Sequence, residues 1–500
     1  MTNCRLFCNK NRKKVGRIMV QGISFKNIFS IVGKILFLLS LAQILPAALA
    51  FYYNEPVLPF LFSIVLSGSF GLIFGYMAKD TAGDWTARES YAIVAFSWLF
   101  SAIFCAVPFF MSGLSPLNAL FEGMSGVTTT GATILTNIDA YPKSLLFWRS
   151  LTQWLGGLGV VALFLAVIPK VNMRGRQLYK MEFSGPTEGK IRPKISSTAK
   201  ILWYFYIGAT VLLILLLFLL EFPIYNAVVF ALSTMSSGGF APYDESILPL
   251  LNFKVEFVII LFMLIAGTNF ALIYRTATRG IRYLFKDEEF KTYIFVFVFL
   301  SLLLSLILVR DMDYGFLTSM RLSFFQISSI MTTTGFIIAD YNLWSDAAKI
   351  LLILVMFTGG CSGSTSGGPT FVRWIIFVRY ARRDIFKFIH PNAVKPIKYN
   401  GRSLNEEVVN STVSFMILYF IVFILSSVLL GILGLDIVSA AMTSIGTLGN
   451  IGPIFGVIGP FDHFSSFPAL GKVVMIFNMW VGRLELYAVI LLFTKEFWKR

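Results

Sequence analysis

The sequence predicts an all-α polytopic membrane protein that contains four copies of one helical unit. The chain has 500 residues, of which 56% are hydrophobic and only 14% are charged, whereas a soluble chain carries about 25% charged residues. Its long apolar segments are each close to the ~20 residues that a membrane-spanning helix requires. A short phrase rich in Gly, Ser and Thr also recurs four times at wide spacing. Together, these three observations predict the fold class.

Ten apolar segments are long enough to be predicted as membrane-spanning helices. The first begins after a basic arm and is longer than the roughly 7–15 apolar residues of a signal-peptide core. Because a second span follows it at once, we predict an uncleaved helix. The approximate bounds of the ten segments are 28–53, 57–79, 91–113, 145–169, 200–221, 251–276, 291–310, 346–379, 410–434 and 470–494.

The charged loops predict the orientation of these helices. Lys and Arg outnumber Asp and Glu in residues 1–27, 170–200, 275–291 and 373–402. If the helices alternate in direction, all four segments lie on one side, which the positive-inside rule makes cytoplasmic. Both termini are then cytoplasmic, and the net charge of +16 indicates contact with anionic lipid rather than with nucleic acid. The opposite loops carry mainly acids: Asp139, Asp244, Glu245, Asp311, Asp313, Asp340, Asp346, Asp436 and Asp462.

The recurring phrase falls on the acidic side of the predicted membrane in all four cases. Its glycines, which are 108, 96 and 114 residues apart, are Gly131, Gly239, Gly335 and Gly449. Non-helical backbone at membrane depth is tolerated only where it lines a water-filled path or is buried in protein. We therefore predict four re-entrant half-helices, each followed by a loop. The apolar stretches that precede the loops, all too short to span, are 116–127, 223–236, 316–331 and 436–446.

The predicted unit is helix, half-helix, loop and helix, and four such units would surround one central pore. Two further helices at the N-terminus stand outside the repeat. The predicted divisions are a cytoplasmic basic arm at 1–27, the two extra helices at 28–90, and repeats at 91–199, 200–290, 291–409 and 410–500.

The loops have the composition of a cation filter. Glycine allows backbone dihedrals that turn carbonyl oxygens inward, and a ring of such oxygens can replace the hydration shell of a cation. The half-helices would point their negative C-terminal ends toward the ion. A single copy would favour simple tight helix packing, but four copies at matching positions favour the filter. The predicted filter residues are Thr129, Thr130, Gly131, Ser237, Gly238, Gly239, Thr333, Thr334, Gly335, Thr447, Leu448, Gly449 and Asn450.

Four further phrases complete a resemblance to a known family: Gln153–Gly159, Gly267–Phe270, His390–Val394 and Gly482–Glu485. With the four loops, they make nearly the whole chain similar to the Trk/Ktr superfamily of potassium uptake proteins, in its TrkH/TrkG branch. The resemblance implies four pseudo-repeats around a potassium path, a homodimer, and a place in the bacterial inner membrane. The fourth loop departs from the Thr-rich pattern, so we expect weaker discrimination against sodium or rubidium than in a strictly fourfold channel.

The eighth predicted span contains a glycine-rich stretch, residues 359–368, in which five of ten residues are glycine. Each Gly costs a helix about 1 kcal/mol relative to Ala, so we expect the helix to break there. The resemblance implies an intramembrane loop that obstructs the path beneath the filter. The implied gate residues are Gly359, Gly360, Cys361, Ser362, Gly363, Ser364, Thr365, Ser366, Gly367, Gly368 and Arg483.

Several polar groups of the apolar segments have alternative interpretations. The resemblance implies that Arg483 stands under the filter and repels cations when the gate is shut. A salt bridge to Glu485 or another acid, and a packing kink instead of a gating loop, remain open. For Glu122, in the first half-helix, and for Asn269, a structural hydrogen bond is favoured, and Glu122 would brace the filter.

The sequence does not predict an enzyme. It has two distant histidines and four cysteines without a zinc or disulfide spacing, and no nucleotide-binding loop. We predict potassium as the transported ion and no bound organic cofactor. Nucleotide control would come from a partner, and the resemblance implies a cytosolic nucleotide-binding (TrkA-like) regulatory subunit. The alternative to gated uptake is a carrier that couples potassium to protons or sodium; its candidate carboxylates are Glu122, Glu221 and Glu485.

Overall fold

The computed structural model describes residues 23–78, 86–167, 195–250 and 252–499. Most of the predicted basic arm and most of the basic segment 170–200 therefore lie outside the described residues, and the orientation predicted from these segments stays a prediction.

The described chain is helical apart from its loops and one short hairpin. The hairpin pairs β1 (Lys398–Tyr399) with β2 (Arg402–Ser403) in antiparallel register. The helices are α1 (Phe25–Ala42), α2 (Ile44–Tyr52), α3 (Leu58–Met77), α4 (Ala87–Met111), α5 (Pro116–Val127), α6 (Lys143–Val167), α7 (Ile195–Leu219), α8 (Ile224–Met235), α9 (Phe253–Ala266), α10 (Phe270–Arg279), α11 (Glu288–Met312), α12 (Phe316–Met331), α13 (Asp346–Met356), α14 (Phe371–Ile389), α15 (Glu406–Ile432), α16 (Ile437–Leu448), α17 (Ala469–Arg483), α18 (Tyr487–Ile490) and α19 (Lys495–Trp498).

Polar caps explain where many of these helices begin. The first turn of a helix leaves its N–H groups without partners inside the helix, and a side-chain oxygen just before that turn can accept from them. At the start of α4, Thr86 and Glu89 form a reciprocal capping box. The other residues whose side chains accept from a first-turn N–H are Ser115, Asn252, Asn269, Asp287, Ser345 and Asp436.

The membrane character of the chain is confirmed by its long apolar helices. By length and composition, six helical segments of the described residues could cross a membrane: Phe25–Tyr52, Leu58–Met77, Arg88–Met111, Ile201–Leu219, Glu288–Met312 and Glu406–Ile432. Each overlaps one of the ten predicted spans. Their outer faces expose large apolar side chains, such as Val65 and Leu72 of α3, which suits contact with lipid.

Three of the remaining predicted spans are broken. The prediction of continuous helices at 251–276 and 470–494 is wrong, because the chain bends by 102° between α9 and α10 and by 115° after α17. The break predicted within 346–379 is present, since α13 ends at Met356 and α14 begins at Phe371. The one predicted span not yet accounted for, the fourth at 145–169, corresponds to α6.

The order of helix, short helix, loop and helix recurs four times along the chain. The short helices are α5, α8, α12 and α16, and they match the four predicted half-helices within two residues. Helices α1 to α3 precede this series; α1 and α3 pack against α4, and α2 packs against α6. The contact between α1 and α3 is close, because a Cβ on Gly33 or Gly71 would lie 2.9 Å from an atom of the other helix.

Candidate functional site

The loops that follow the four short helices share one backbone conformation. Each short helix ends at a cap residue: Thr128, Ser236, Thr332 or Gly449. The next residue is left-handed in every loop, with φ of 55° at Thr129, 55° at Ser237, 57° at Thr333 and 54° at Asn450. Two residues later stands a glycine of positive φ: Gly131 at 80°, Gly239 at 77°, Gly335 at 82° and Gly452 at 85°.

This geometry corrects the predicted register of the fourth loop. The prediction that Gly449 is the fourth equivalent glycine is wrong, since Gly449 has an ordinary helical φ of −78° and caps α16. Thr447 and Leu448 belong to α16 itself. The phrase Thr447-Leu448-Gly449 imitates the others in composition, but α16 continues to Leu448, two residues past the predicted end of that half-helix. The equivalent glycine is Gly452.

The ends of the short helices carry local strain. In each loop the second N–H after the cap bonds back to a carbonyl of the last helical turn, as when Thr130 N–H donates to the Ser125 carbonyl at 2.9 Å. This Schellman arrangement places its left-handed residue where glycine is usual. Here that place holds Thr129, Ser237, Thr333 and Asn450. A β-branched threonine is a genuine outlier at positive φ, and such strain persists where surrounding structure enforces it.

The four loops close into a ring. The glycines face carbonyl oxygens of the next loop in the order Gly131 to Gly238, Gly239 to Thr334, Gly335 to Ile451, and Gly452 to Thr130. In every pair, a Cβ on the glycine would lie 2.5 Å or less from that oxygen. Because the last loop returns to the first, the ring is complete. Each of its four glycines is therefore required by space as well as by φ.

A cavity on the acidic side opens onto this ring. All four ring glycines line it, together with Asp244, Asp462 and Arg149, whose charge is paired with Glu122. Beside it, burial and the charges of Asp244 and Glu245 raise the pKa of Asp139. This acidic mouth can concentrate cations at the ring.

A buried ion pair braces the first two loops. Arg149 of α6 bonds the Glu122 carboxylate of α5 at 2.7 Å, and both side chains are at most 1% exposed. The carboxylate also accepts from the Ile134 N–H at 3.0 Å. The guanidinium donates to the Thr133 hydroxyl at 3.0 Å and to the Ala241 carbonyl at 3.1 Å. Glu122 thus makes the hydrogen bonds predicted for it, and Arg149 extends them to the second loop.

A glutamine side chain from α6 braces the second loop alone. The Gln153 amide N–H donates to the Gly238 carbonyl at 2.6 Å, and its oxygen accepts from the Phe240 N–H at 3.1 Å. The amide therefore binds the backbone on both sides of Gly239. Close approach of α6 depends on Gly156, where a Cβ would collide with the Val127 carbonyl of α5.

The glycine-rich loop between α13 and α14 lies against the short-helix ends of three units. Its Thr365 hydroxyl bonds the Met235 carbonyl and the Ser237 hydroxyl, both at 3.0 Å. The Gly367 N–H donates to the Thr333 hydroxyl at 2.8 Å. A Cβ on Gly367 would lie 2.5 Å from the Gly449 carbonyl. The predicted gate residues are thus in contact with the helix ends that carry the ring.

The backbone at the bend between α9 and α10 forms hydrogen bonds with this loop. Its Gly267 carbonyl accepts from the Cys361 N–H at 2.8 Å, and the Phe270 N–H donates to the Gly363 carbonyl at 3.2 Å. Asn269 caps α10 through a 3.0 Å bond from the Leu272 N–H, which is the structural role favoured from sequence.

Arg483, at the end of α17, is a buried cation that forms no salt bridge with any carboxylate of the described residues. It is 4% exposed, and one guanidinium nitrogen donates to the Thr365 carbonyl at 2.9 Å. Its other two nitrogens have no hydrogen-bond partner among the described residues. The alternative of a salt bridge to Glu485 fails, because Glu485 pairs with Arg373 at 2.7 Å. An unpaired buried charge is costly, so its place beside the loop calls for a functional reason.

Comparison with known proteins assigns the family. The family profile described as "TrkH: Cation transport protein" matches residues 61–500. The chain belongs to this family. Its membership confirms the resemblance and the prediction that the chain is not an enzyme.

Individual relatives in this family align over nearly their whole lengths. The Trk system potassium uptake protein TrkH of Salmonella typhimurium is 34% identical over 482 residues, which cover 95% of this chain and 99% of that protein. TrkG of Escherichia coli is 31% identical, with coverage of 93% and 97%. The crystal structure of the potassium transporter TrkH from Vibrio parahaemolyticus matches with a TM-score of 0.86 and 31% identity, over 95% of this chain and 100% of that one.

Sequence reasoning missed four residues of this site. Gly452 and Ile451 were obscured by the better match of the preceding phrase. Gln153 lay in a quoted phrase without a role. Arg149 carried a usable signal, because a charge inside an apolar span usually marks a partner or a cavity.

Proposed function

We propose that this cation transport protein is a potassium uptake channel of the bacterial inner membrane, with four pseudo-repeats around one conducting path. Its filter is the ring of loops at 128–131, 236–239, 332–335 and 449–452. The closed ring of glycine and carbonyl pairs supports this most directly, since ringed carbonyl oxygens are the usual device for replacing the hydration of a cation. The printed names of the relatives support potassium as the ion.

The proposed gate is the loop at 359–368 together with Arg483. The contacts of Thr365 and Gly367 with the short-helix ends support an obstruction directly beneath the ring. The unpaired guanidinium of Arg483 adds an electrostatic barrier to cations there. We also propose that the protein forms a homodimer and that a cytosolic nucleotide-binding (TrkA-like) subunit controls the gate. Membership of the family supports both. In this proposal both termini lie in the cytoplasm, and the four repeats occupy residues 91–199, 200–290, 291–409 and 410–500.

The environments of the candidate carboxylates favour a channel over a coupled carrier. Coupling to protons usually needs an intramembrane carboxylate that is free to titrate. Glu122 is bound by Arg149, and Glu485 by Arg373. Glu221 is exposed at the turn after α7. A reversal potential that moved with pH would favour the carrier instead.

The filter assignment is tested with Gly335→Ser. The new side chain would meet the Ile451 carbonyl, and the φ of 82° disfavours any residue but glycine. We expect potassium uptake into a potassium-uptake-deficient bacterial strain to lose its selectivity over sodium. Shortening residues 359–368 is the companion change, and it should raise flux without altering selectivity. Wild-type selectivity in Gly335→Ser would place the ion path elsewhere.

The barrier role of Arg483 predicts a gain of flux on neutralisation. We expect Arg483→Gln to raise rubidium flux into proteoliposomes several-fold, while Arg483→Lys, which keeps the charge, stays near wild type. Lys472→Gln is the matched control, because Lys472 is a buried cation of the same helix about three turns away, bonded to Asn118. Equal flux in Arg483→Gln and wild type would contradict an electrostatic barrier.

A further inference from the structure

One buried acid outside the ring touches the glycine-rich loop. Glu289, in the first turn of α11, is 3% exposed. One carboxylate oxygen accepts from the Ser362 N–H at 2.7 Å and from the Val372 N–H at 3.0 Å. The other accepts from the Ser362 hydroxyl at 3.0 Å. A single side chain therefore joins the middle of the loop to the helix that follows it.

The bond to Val372 makes Glu289 a substitute cap for α14. Val372 lies in the first turn of α14, whose N–H groups need acceptors from outside the helix. The residue at the cap position, Thr370, makes no such bond, and its hydroxyl has no partner among the described residues. A carboxylate at a helix N-terminus is also favoured by the helix dipole. The start of α14 thus depends on Glu289.

The short hairpin holds the end of α11 that carries Glu289. The Asn400 side-chain oxygen accepts from the Glu288 N–H at 2.8 Å, and its amide donates to Asp287 at 2.9 Å. Asn400 and Gly401 form the hairpin turn with φ of 46° and 75°, a pair of residues and angles typical of a tight two-residue turn. A path of direct contacts therefore runs from the hairpin through α11 to the loop.

We propose that Glu289 is the positioning residue that latches the glycine-rich loop in place, and that the hairpin at 398–403 sets the position of this latch. The latch itself rests on the contacts above, whereas its effect on flux rests on the proposed function of the loop. A ligand or partner that moved the hairpin would release the loop from α11 without touching the ring.

Removing the carboxylate is expected to free the loop. Glu289→Ala leaves the N–H groups of Ser362 and Val372 without acceptors in a buried place, which disfavours the latched position. Glu289→Asp keeps the charge but shortens the side chain, so it should release the loop in part. Glu289→Gln keeps an acceptor oxygen for both N–H groups and should remain near wild type. The order of loop release, with Ala greatest, Asp intermediate and Gln least, separates the effect of the hydrogen bonds from the effect of the charge.

The neighbouring cysteine reports directly on the loop. Cys361 precedes Ser362, has a free thiol and is 1% exposed. In a background with Cys4, Cys8 and Cys105 replaced by serine, we would follow maleimide labelling of the purified full chain by mass spectrometry. We expect Glu289→Ala to label about tenfold faster than its parent or more, because it loses the hydrogen bonds from Ser362 and Val372. Equal rates in the two folded proteins would overturn the latch.

Two further variants control the labelling experiment. Glu288→Ala removes an acid of the same turn whose carboxylate pairs with Arg379 of α14, so it should label like its parent. Asn400→Gly suits the left-handed φ but removes the amide, and it should speed labelling if the hairpin holds the latch; an unchanged rate would overturn that part. If Glu289→Ala does not fold, Glu289→Asp takes its place: faster labelling than in its parent would support the latch, and an equal rate would overturn it.

Flux measurements then separate the latch from the proposed function. Glu289→Ala should raise rubidium flux in the full-length protein, but should add nothing once residues 359–368 are shortened. Faster labelling with unchanged flux would leave the latch standing and contradict the loop as a gate. A flux change that persists in the shortened background would mean that Glu289 acts through general destabilisation, which overturns the latch.

Discussion

Replacing Gly452 with alanine is expected to abolish potassium-selective uptake. The φ of 85° places this residue in the left-handed region, which costs alanine about 1–2 kcal/mol. Its Cβ would also lie 2.5 Å from the Thr130 carbonyl oxygen, so the first and fourth loops would have to separate. We expect the ratio of potassium to sodium uptake to fall about tenfold or more, since each 1.4 kcal/mol of lost discrimination is tenfold.

Gly449→Ala is the matched control for this prediction. Gly449 lies three residues earlier and has a φ of −78°, which alanine adopts readily. Its new Cβ would lie 2.9 Å from the Ile445 carbonyl oxygen and 3.1 Å from the Ile451 side chain, and these nearest atoms all belong to its own unit rather than to another loop. Gly449→Ala should therefore retain much more of the selectivity for potassium over sodium than Gly452→Ala does. If Gly449→Ala lost selectivity while Gly452→Ala kept it, the register inferred from the ring would be wrong.

Removing Arg149 is expected to destabilise the folded protein by about 3–5 kcal/mol, the usual cost of stranding a buried charge. Arg149→Met would leave the fully buried Glu122 carboxylate without its cation and would release the Ala241 carbonyl. The expected result is a large drop in thermal unfolding temperature in detergent. Fluorescence-detected size exclusion after heating would measure it.

Two further variants test whether the ion pair is the cause. Glu122→Gln combined with Arg149→Met removes both charges and should recover much of the lost stability, because an apolar or neutral replacement of a buried pair is often tolerated. Arg310→Met breaks the pair with Asp311, in which Arg310 is 73% exposed, and should change little. A double variant as unstable as Arg149→Met alone would show that packing, not charge, sets the effect.

Some of the architecture follows from local sequence. Hydropathy predicts spans because each helix must itself satisfy its backbone in lipid, and six single spans lie where they were predicted. The break at 359–368 follows from the glycines there. The four short helices were likewise predictable, since each is apolar, too short to span and followed by small residues.

Local sequence did not predict the breaks in two of the helices or the register of the fourth loop. Residues 251–276 and 470–494 read as continuous apolar runs, but their bends depend on neighbours. At Gly267, the bend is held by bonds from the glycine-rich loop, about a hundred residues later in the chain. The phrase around Gly449 has the composition of the other three loops, whereas the position of the ring glycine is set by where α16 ends.

The sequence by itself determined the membrane class, the charge asymmetry and the presence of four glycine loops, because hydropathy and backbone freedom are properties of neighbouring residues. Tertiary structure decided which glycine closes the ring and which side chains support it. Gln153 finds its partner 85 residues away, and Arg149 bonds the Ala241 carbonyl 92 residues away. Such pairs arise only when the four units close on one another, and no local pattern encodes the contact between their ends.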